Sequence, residues 1–409
     1  MNARAINTAY VAFQACYWMV FCVCVGFISF YLQAMGLTEV YIGIATALFC
    51  GATFLVQPLL GNLSDRIEAL TWKRMVLALT GIYFLVCVAM IAIPHQLANI
   101  FLLGLLYFIA NLIAPFINSA HYHYSSRGIY INFGVARGAG SAAFALLAVI
   151  IGSVSHIYGA RVIPVFGAGA STMLFLIALL MPYCATDRDN AHQSRARSQV
   201  NTLSFLRKYP TFSMMLLAVL LMYFSHNLLS IYLLQIVQSL GGDSANLGSA
   251  LGLQAAVEIP ILFAFAVIMR YFAIKNLMLF AGLGYIIRAI MYLATSSIPM
   301  LYMTQLTQMC SFAILAAASV YYTGVYVQEA DQNTGQAFMT SMMPASTVLA
   351  SLAGGTILQY ASITSLLVFN VVVALCALAI AFISVRMPQP VVSLVVNAEE
   401  PQLASGAVQ

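Results

Sequence analysis

Charge is what this chain lacks. Of its 409 residues only 7% are Asp, Glu, Lys or Arg, where a soluble domain carries about 25%. So few charges cannot solvate a surface, and a soluble globular domain is excluded. Also missing is any cluster of nucleophile, base or metal ligands, so nothing points to an enzyme or a cofactor. The eight cysteines show neither metal-ligand spacing nor a disulfide framework; most lie inside apolar stretches, as small packing residues do. Strand-like alternation is absent, which disfavours a membrane barrel. No cleavable leader is evident, because residues 8–33 are too long for one and lack a convincing cleavage site.

What the chain has in quantity is apolar length. Hydrophobic residues make up 63%, and the mean hydropathy is +0.95. A helix needs roughly 20 apolar residues to cross hydrocarbon, and helices satisfy their own backbone groups there. The stretches predict twelve helices, near 8–33, 39–60, 73–93, 97–119, 132–156, 162–183, 211–240, 245–270, 276–295, 300–326, 336–360 and 363–386. The expected fold is an all-α membrane protein of twelve transmembrane helices in two parallel six-helix repeats.

One polar run interrupts the pattern. Residues 184–208 hold seven charged side chains, from Asp187 and Arg188 to Arg207 and Lys208, at almost the middle of the chain. The division predicted is an N-terminal half over 1–183, a cytoplasmic central loop over 184–210, a C-terminal half over 211–386 and a disordered cytoplasmic tail over 387–409. Lys and Arg set the orientation. Arg4, Arg66, Lys73, Arg74, Arg127, Arg188, Arg195, Arg197, Arg207, Lys208, Arg270, Lys275 and Arg386 fall on one face, and Arg161 alone falls on the other. The crowded face is expected to be cytoplasmic, with both termini inside. Because these basic residues are spread over loops, the net charge of +5 does not suggest nucleic acid.

The halves repeat weakly. Gly36-Leu-Thr-Glu-Val-Tyr-Ile-Gly43 is echoed by Gly241-Gly-Asp-Ser-Ala-Asn-Leu-Gly248, and at the same offset of 205 Asp65 falls on Arg270. The second helix runs into Gln57-Pro-Leu-Leu-Gly61-Asn-Leu-Ser-Asp65-Arg66. This resembles the Gly-x-x-x-Asp-Arg loop of the major facilitator superfamily, whose members are built from such parallel repeats. The resemblance implies that Gly61, Asp65 and Arg66 form a conformational latch between helices of the two halves. Glu68 stands where the family has Gly, which loosens that latch.

Further segments narrow the likeness. Residues 43–66, Asn132-Phe-Gly-Val-Ala-Arg137-Gly-Ala-Gly140, and Lys275-Asn276 followed by Ile287-Arg288 resemble lactose permease and its oligosaccharide:proton symporter relatives. Glu258-Ile-Pro260 looks like the related phenylpropionate and nucleoside permease branch. Together they span about residues 10–386. The resemblance implies a permease of the inner membrane that moves a small polar solute, foremost a sugar or glycoside, with a proton. An organic-anion or nucleoside permease, a proton-free facilitator and a drug exporter of the same fold stay open, the last on the strength of 20 methionines. The implied partners are the solute, the proton and the lipid bilayer, with the protein acting as a monomer.

Three ionisable residues lie within predicted spans: Arg137, Glu258 and Arg288. Charges there are costly and usually face a cavity. Glu258 is twelve residues before Arg270, about 18 Å in at 1.5 Å per residue, and Arg288 is thirteen after Lys275, at similar depth. They read as a proton-coupling site or as an ion pair pinning two helices. By resemblance Arg137 occupies the sugar-binding arginine position; the plainer reading is an Arg reaching for the interface. Departures matter equally. The helix 4 glutamate that partners this arginine in lactose permease is missing, for Pro115-Phe-Ile-Asn118-Ser119-Ala-His121 contains no acid. Gln308 and Ser311 stand where the family's coupling histidine and glutamate fall, and neither titrates. His121, His123 and His226 are conceivable relays, because His titrates near neutrality. Tyr17, Trp18, Asn111, Asn118, His226, Asn227, Gln305 and Gln308 complete a candidate substrate-binding cavity of a few polar groups in apolar surroundings, though each taken singly also suits helix–helix hydrogen bonding.

Overall fold

The computed structural model describes residues 3–67, 70–125, 128–129, 131–182, 202–328 and 331–387. Among them are twelve helices long and apolar enough to cross a membrane, numbered here as spans 1 to 12: Arg4–Gly26, Glu39–Gln57, Trp72–Ala92, Gln96–His121, Phe133–Tyr158, Val162–Leu180, Pro210–Ile231, Ser244–Phe265, Ile274–Ala294, Ile298–Tyr326, Thr334–Tyr360 and Ile363–Arg386. No strand occurs among the described residues. Short polar loops set where several helices begin. Thr71, Asn132, Asp243 and Ser362 each accept a hydrogen bond from a backbone N–H in the first turn, and Asp243 forms a reciprocal capping box with Asn246.

Four predicted helices are broken where continuity is expected. Span 1 passes through a π-helical turn, Cys22–Gly26, before a further helix, Ile28–Ala34. Span 7 ends at Ile231, and after Tyr232 a short helix Leu233–Ser239 carries the chain out. Span 8 is cut between Ala256 and Glu258, and the cause is Pro260: it has no N–H, and its ring excludes the carbonyl four residues back, that of Ala256. Span 10 changes from helix Ile298–Gln305 to a 3₁₀ turn, Leu306–Met309, and then to helix Phe312–Tyr326. The side chain of Gly284 in span 9 is a single hydrogen; a Cβ there would run into the Cys310 carbonyl, so the two backbones meet where span 10 is irregular.

Two boundaries also differ. The helix that contains span 2 runs Glu39–Arg66, so Gly61 and Arg66 belong to its last turns rather than to a loop. No strong helix breaker stands between them to end it sooner. Their side chains and that of Asp65 lie outside the described residues, as do 183–201 and 388–409. Thr202–Lys208, expected in the polar linker, is a helix. Phe205 explains it: it is buried, with its ring 5.2 Å from Phe338 and 6.1 Å from Phe212. Beside it Lys208 Nζ and the Tyr209 hydroxyl both meet Asp331 Oδ2, at 2.6 and 2.7 Å. These bonds hold the Asp331 carboxyl below its ordinary range. A depressed carboxyl stabilises the fold above its unfolded pKa and loses that contribution as pH falls through the folded one. Asp331→Asn is therefore expected to lower the melting temperature slightly at pH 7, with the gap to wild type closing as the pH is lowered through the carboxylate range. A constant gap would remove the charge from the explanation.

Spans 1–6 and 7–12 form two halves. Span 5 packs along span 8, and span 2 along span 11. On the face with few basic residues the halves are closed. Ser29 exchanges hydrogen bonds with Gln235 at 2.9–3.1 Å, and Gln33 Nε2 donates to Gln238 at 3.1 Å. These partners are 206 and 205 residues apart, matching the repeat offset. Equivalent positions of two repeats touch only beside the axis that relates them, so the contacts mark that axis. Spans 5 and 8 close further out. Ser244 Oγ donates to the Gly152 carbonyl at 3.3 Å, and His156 meets Asp243 at 2.9 Å across a largely exposed gap, where an ion pair adds little.

Glycine is what permits this approach. A Cβ on Gly152 or Gly248 would overlap the other's backbone. Gly152→Leu is thus expected to hold the low-charge face apart and expose Gln235. The measurement is labelling of Gln235→Cys by a membrane-impermeant maleimide, with a rise of about tenfold or more when Gly152→Leu is added, since the substitution penalises one state only. Unchanged labelling would mean that this contact does not govern closure.

Candidate functional site

The breaks in spans 8 and 10 bring three polar side chains together. Glu258 begins the second segment of span 8, Gln308 sits in the 3₁₀ turn of span 10, and Arg288 projects from the middle of span 9. All three are buried, Glu258 at 8% exposure and Arg288 at 1%. They form a relay. Arg288 Nη1 donates to Gln308 Oε1, and Gln308 Nε2 donates to Glu258 Oε1 at 2.9 Å. Donor chemistry dictates this order. A guanidinium has no acceptor, so the amide oxygen must face Arg288. Its NH₂ then faces Glu258, which must accept. The acid and base of spans 8 and 9 are therefore coupled through an amide.

The same reasoning sets the histidine. His226 Nδ1 lies 3.2 Å from Arg288 Nη1, so Nδ1 accepts and the ring is the neutral tautomer with its proton on Nε2. The ring stacks on Phe312, centroids 4.3 Å apart. Arg288 also lies over Tyr292, 5.7 Å from the ring centre, and the Tyr292 hydroxyl accepts from Gln305 Nε2 at 2.8 Å. Four polar atoms in this group have no partner among the described residues: Arg288 Nε and Nη2, the Tyr285 hydroxyl and Gln305 Oε1.

The N-terminal half contributes Arg137. Asn132 caps span 5 by accepting from Val135 N–H at 3.1 Å, which places Arg137 about 7 Å along the helix. Its guanidinium lies on the Trp18 ring, 3.8 Å from the centre, and Nη1 donates to Ser141 Oγ at 2.8 Å. Two glycines make room. A Cβ on Gly140 would overlap Trp18, and one on Gly138 would overlap Phe263 and touch Ile259 of span 8. Arg137 is thus beside the turn of span 8 that bears Glu258. Tyr17 stands edge-on to Trp18 at 5.6 Å. Below them Gln14 donates to the Tyr10 hydroxyl at 2.9 Å and reaches Asn118 Oδ1 at 3.5 Å. Asn118 and Ser119 are exposed, whereas Arg137 and Trp18 are half-buried.

Of the residues named from sequence, Arg137, Trp18, Tyr17, Asn118, Glu258, Arg288, His226, Gln305 and Gln308 fall in these two facing groups. Two do not. Asn111 donates to the Tyr107 carbonyl of its own helix at 2.8 Å, and Asn227 ties span 7 to span 11 through Ser346 at 2.8 Å. Sequence reasoning missed Gln14, Ser141, Tyr285 and Tyr292. Gln14 is one helical turn before Trp18 and Ser141 one turn after Arg137, so the i, i+4 rule was the available signal. An apolar groove between spans 9 and 12, at Leu283 and Phe382, offers no polar group to orient a solute.

Two parallel bundles that meet around opposed polar groups define a membrane carrier. The chain belongs to the MFS_1 like family, which it matches over residues 10–383, and it is a multi-pass membrane transporter rather than an enzyme. No curated protein sequence matches it. Solved structures share the fold. A mutant of the nucleoside transporter NupG aligns with TM-score 0.78 at 14% identity, covering 94% of this chain and 100% of that one. A bacterial homologue of the human lysosomal transporter Spinster, inward-facing and unoccupied, aligns with TM-score 0.63 at 13% identity over 94% and 97%. The peptide transporter POT in complex with alafosfalin aligns with TM-score 0.67 at 12% identity over 94% and 97%.

Proposed function

We propose that this chain is a permease of the cytoplasmic membrane that carries a small hydroxylated solute by alternating access, as a monomer with both termini in the cytoplasm. The observation that carries the reading is the opposition of Arg137 and Trp18 on one half to Glu258, Gln308 and Arg288 on the other, with the halves closed on the low-charge face. A solute held between the groups contacts both halves, so its binding biases how they rock. Arginine suits vicinal hydroxyls and carboxylates bidentately, and the Trp18 ring offers a flat apolar wall. These features fit a sugar, a glycoside or a sugar acid. Nucleosides belong in the same screen, since one neighbour in fold is the nucleoside transporter NupG.

The test is counterflow in proteoliposomes loaded with an unlabelled solute, after thermal-shift screening of sugars, sugar acids and nucleosides, because a ligand of the native state raises apparent stability. Labelled solute should enter transiently above equilibrium. Binding without counterflow would reduce the protein to a receptor.

Proton symport needs a group that takes the proton, and Glu258 is the carboxyl inside a span. In the present arrangement it accepts from Gln308; a symporter must free it in another state. Glu258→Gln is expected to lose accumulation driven by a pH gradient and to keep exchange, which needs no net proton release. Undiminished gradient-driven uptake by that variant would remove Glu258 from coupling, and a wild type indifferent to the gradient would make the protein a facilitator.

A further inference from the structure

Eleven acids occur in the sequence, and Glu258 alone lies in the interior of a span; the others stand at span ends, in loops or in the tail. Against it are two cations, Arg137 and Arg288, one from each half. The remaining titratable neighbours add no charge. His226 Nδ1 accepts from Arg288 and so belongs to a neutral ring, and the remaining polar neighbours are phenols and amides, which bring no charge. The site therefore carries +2 − 1 = +1 when empty.

That excess is not dispersed. Glu258 is shared, facing Arg288 through Gln308 and Arg137 across the meeting of spans 5 and 8. Arg288 keeps Nε and Nη2 without partners at 1% exposure. Arg137 spends its interactions on the Trp18 face and on one hydroxyl, neither of which is an anion. A charge left uncompensated in a poorly solvated site is costly, and a ligand that cancels it gains what the protein forgoes.

We propose that the solute carries one net negative charge, as a monocarboxylate does, seated beside Arg137 and Trp18 with the charge of Arg288 behind it. This rests on the carrier reading and narrows its solute to a hydroxylated organic anion, whether or not a proton accompanies it. The consequence is electrical. The loaded site is neutral when Glu258 is ionised and the empty site bears +1, so the empty carrier's return feels the membrane potential. Exchange of solute for solute is then faster than net flux, and less sensitive to voltage.

The sign is measurable without knowing the solute, because the sequence has two tryptophans and one is Trp18. In a Trp72→Phe background, Trp18 emission reports on the site. The probes are iodide, caesium and acrylamide, which are anionic, cationic and neutral quenchers. Iodide is expected to quench saturably and well beyond caesium. Arg288→Gln, which brings the site to zero, should weaken iodide quenching about threefold, and Glu258→Gln, which brings it to +2, should strengthen it by a similar factor. Acetate should relieve the quenching, and acetamide at the same concentration should not. Should Arg288→Gln fold poorly, Arg288→Lys keeps the charge and must keep the quenching, with Glu258→Gln still testing the opposite sign. Iodide and caesium quenching alike, or iodide indifferent to both charge changes, overturns the proposal. Failure of the carrier reading is separate: the quenching pattern would stand while counterflow was absent.

Discussion

Arg137→Lys is expected to abolish solute binding while leaving expression and membrane insertion intact. Lysine keeps the charge but loses the planar fork, and with it the ability to lie on the Trp18 ring while bonding sideways to Ser141 and a solute. The loss amounts to one or two charge-assisted hydrogen bonds, about 1.5–3 kcal/mol each, so affinity falls by about tenfold at the least and by about 10⁴-fold, beyond detection, where two strong bonds go. The check is titration of Trp18 emission, or of thermal stability, with the solute found by screening. Wild-type affinity in the lysine variant would return Arg137 to the role of an interfacial cation that merely keeps its head in water. Ser141→Ala separates the remaining possibilities. It removes the one hydroxyl that Nη1 bonds within its helix, and a modest loss there beside a complete loss in Arg137→Lys would show that the fork serves the solute.

The second large effect is on stability, at Gln308. Its amide bridges a guanidinium at 1% exposure and a carboxylate at 8%. Gln308→Leu has similar bulk and leaves both charges without that partner. Breaking a buried pair costs about 3–5 kcal/mol because the survivor stays charged and unpaired, so a steep drop in the melting temperature in detergent is expected. A triple variant that combines Gln308→Leu with Glu258→Gln and Arg288→Met should recover most of the loss, because replacing the whole group by uncharged side chains removes the penalty rather than exposing it. If Gln308→Leu melted with wild type, the relay would be incidental to the fold. If the triple variant were worse than the single one, the polar group would be stabilising outright.

Much of the architecture was legible in the chain because the bilayer imposes one dominant constraint. Each apolar run of about 20 residues has to be a helix to satisfy its own backbone, so twelve runs meant twelve spans, and most span ends moved by only a few residues; spans 1 and 7 stop early, at Gly26 and Ile231, where the helix breaks. The helix Glu39–Arg66 ran past its predicted end and Thr202–Lys208 appeared inside the polar linker for a common reason. Helix continuation at an interface depends on what a side chain finds to pack against, as Phe205 finds Phe338, and composition does not contain that. The break in span 8 was readable from Pro260. Those in spans 7 and 10 were not, since no proline marks them.

The sequence by itself determined the inventory of the site: two arginines and one acid inside spans, at depths set by 1.5 Å per residue, among a few amides and aromatics. Their scarcity in a chain with 7% charged residues made them visible. Only the tertiary structure decided the pairing. Spans 8 and 9 follow each other in sequence, which let Glu258 and Arg288 reach either one another or a shared cavity; the irregular turn of span 10 places Gln308 between them. Arg137 and Glu258 are far apart in the chain, and they share a site because Gly138 lets span 5 close on Phe263 and Ile259 of span 8. Asn111 and Asn227, equally polar by sequence, were turned to their own helix and to a neighbouring one. A residue's type and depth follow from the local chain, whereas its partner depends on the rotation and approach of another helix, and those are set by packing across the whole bundle.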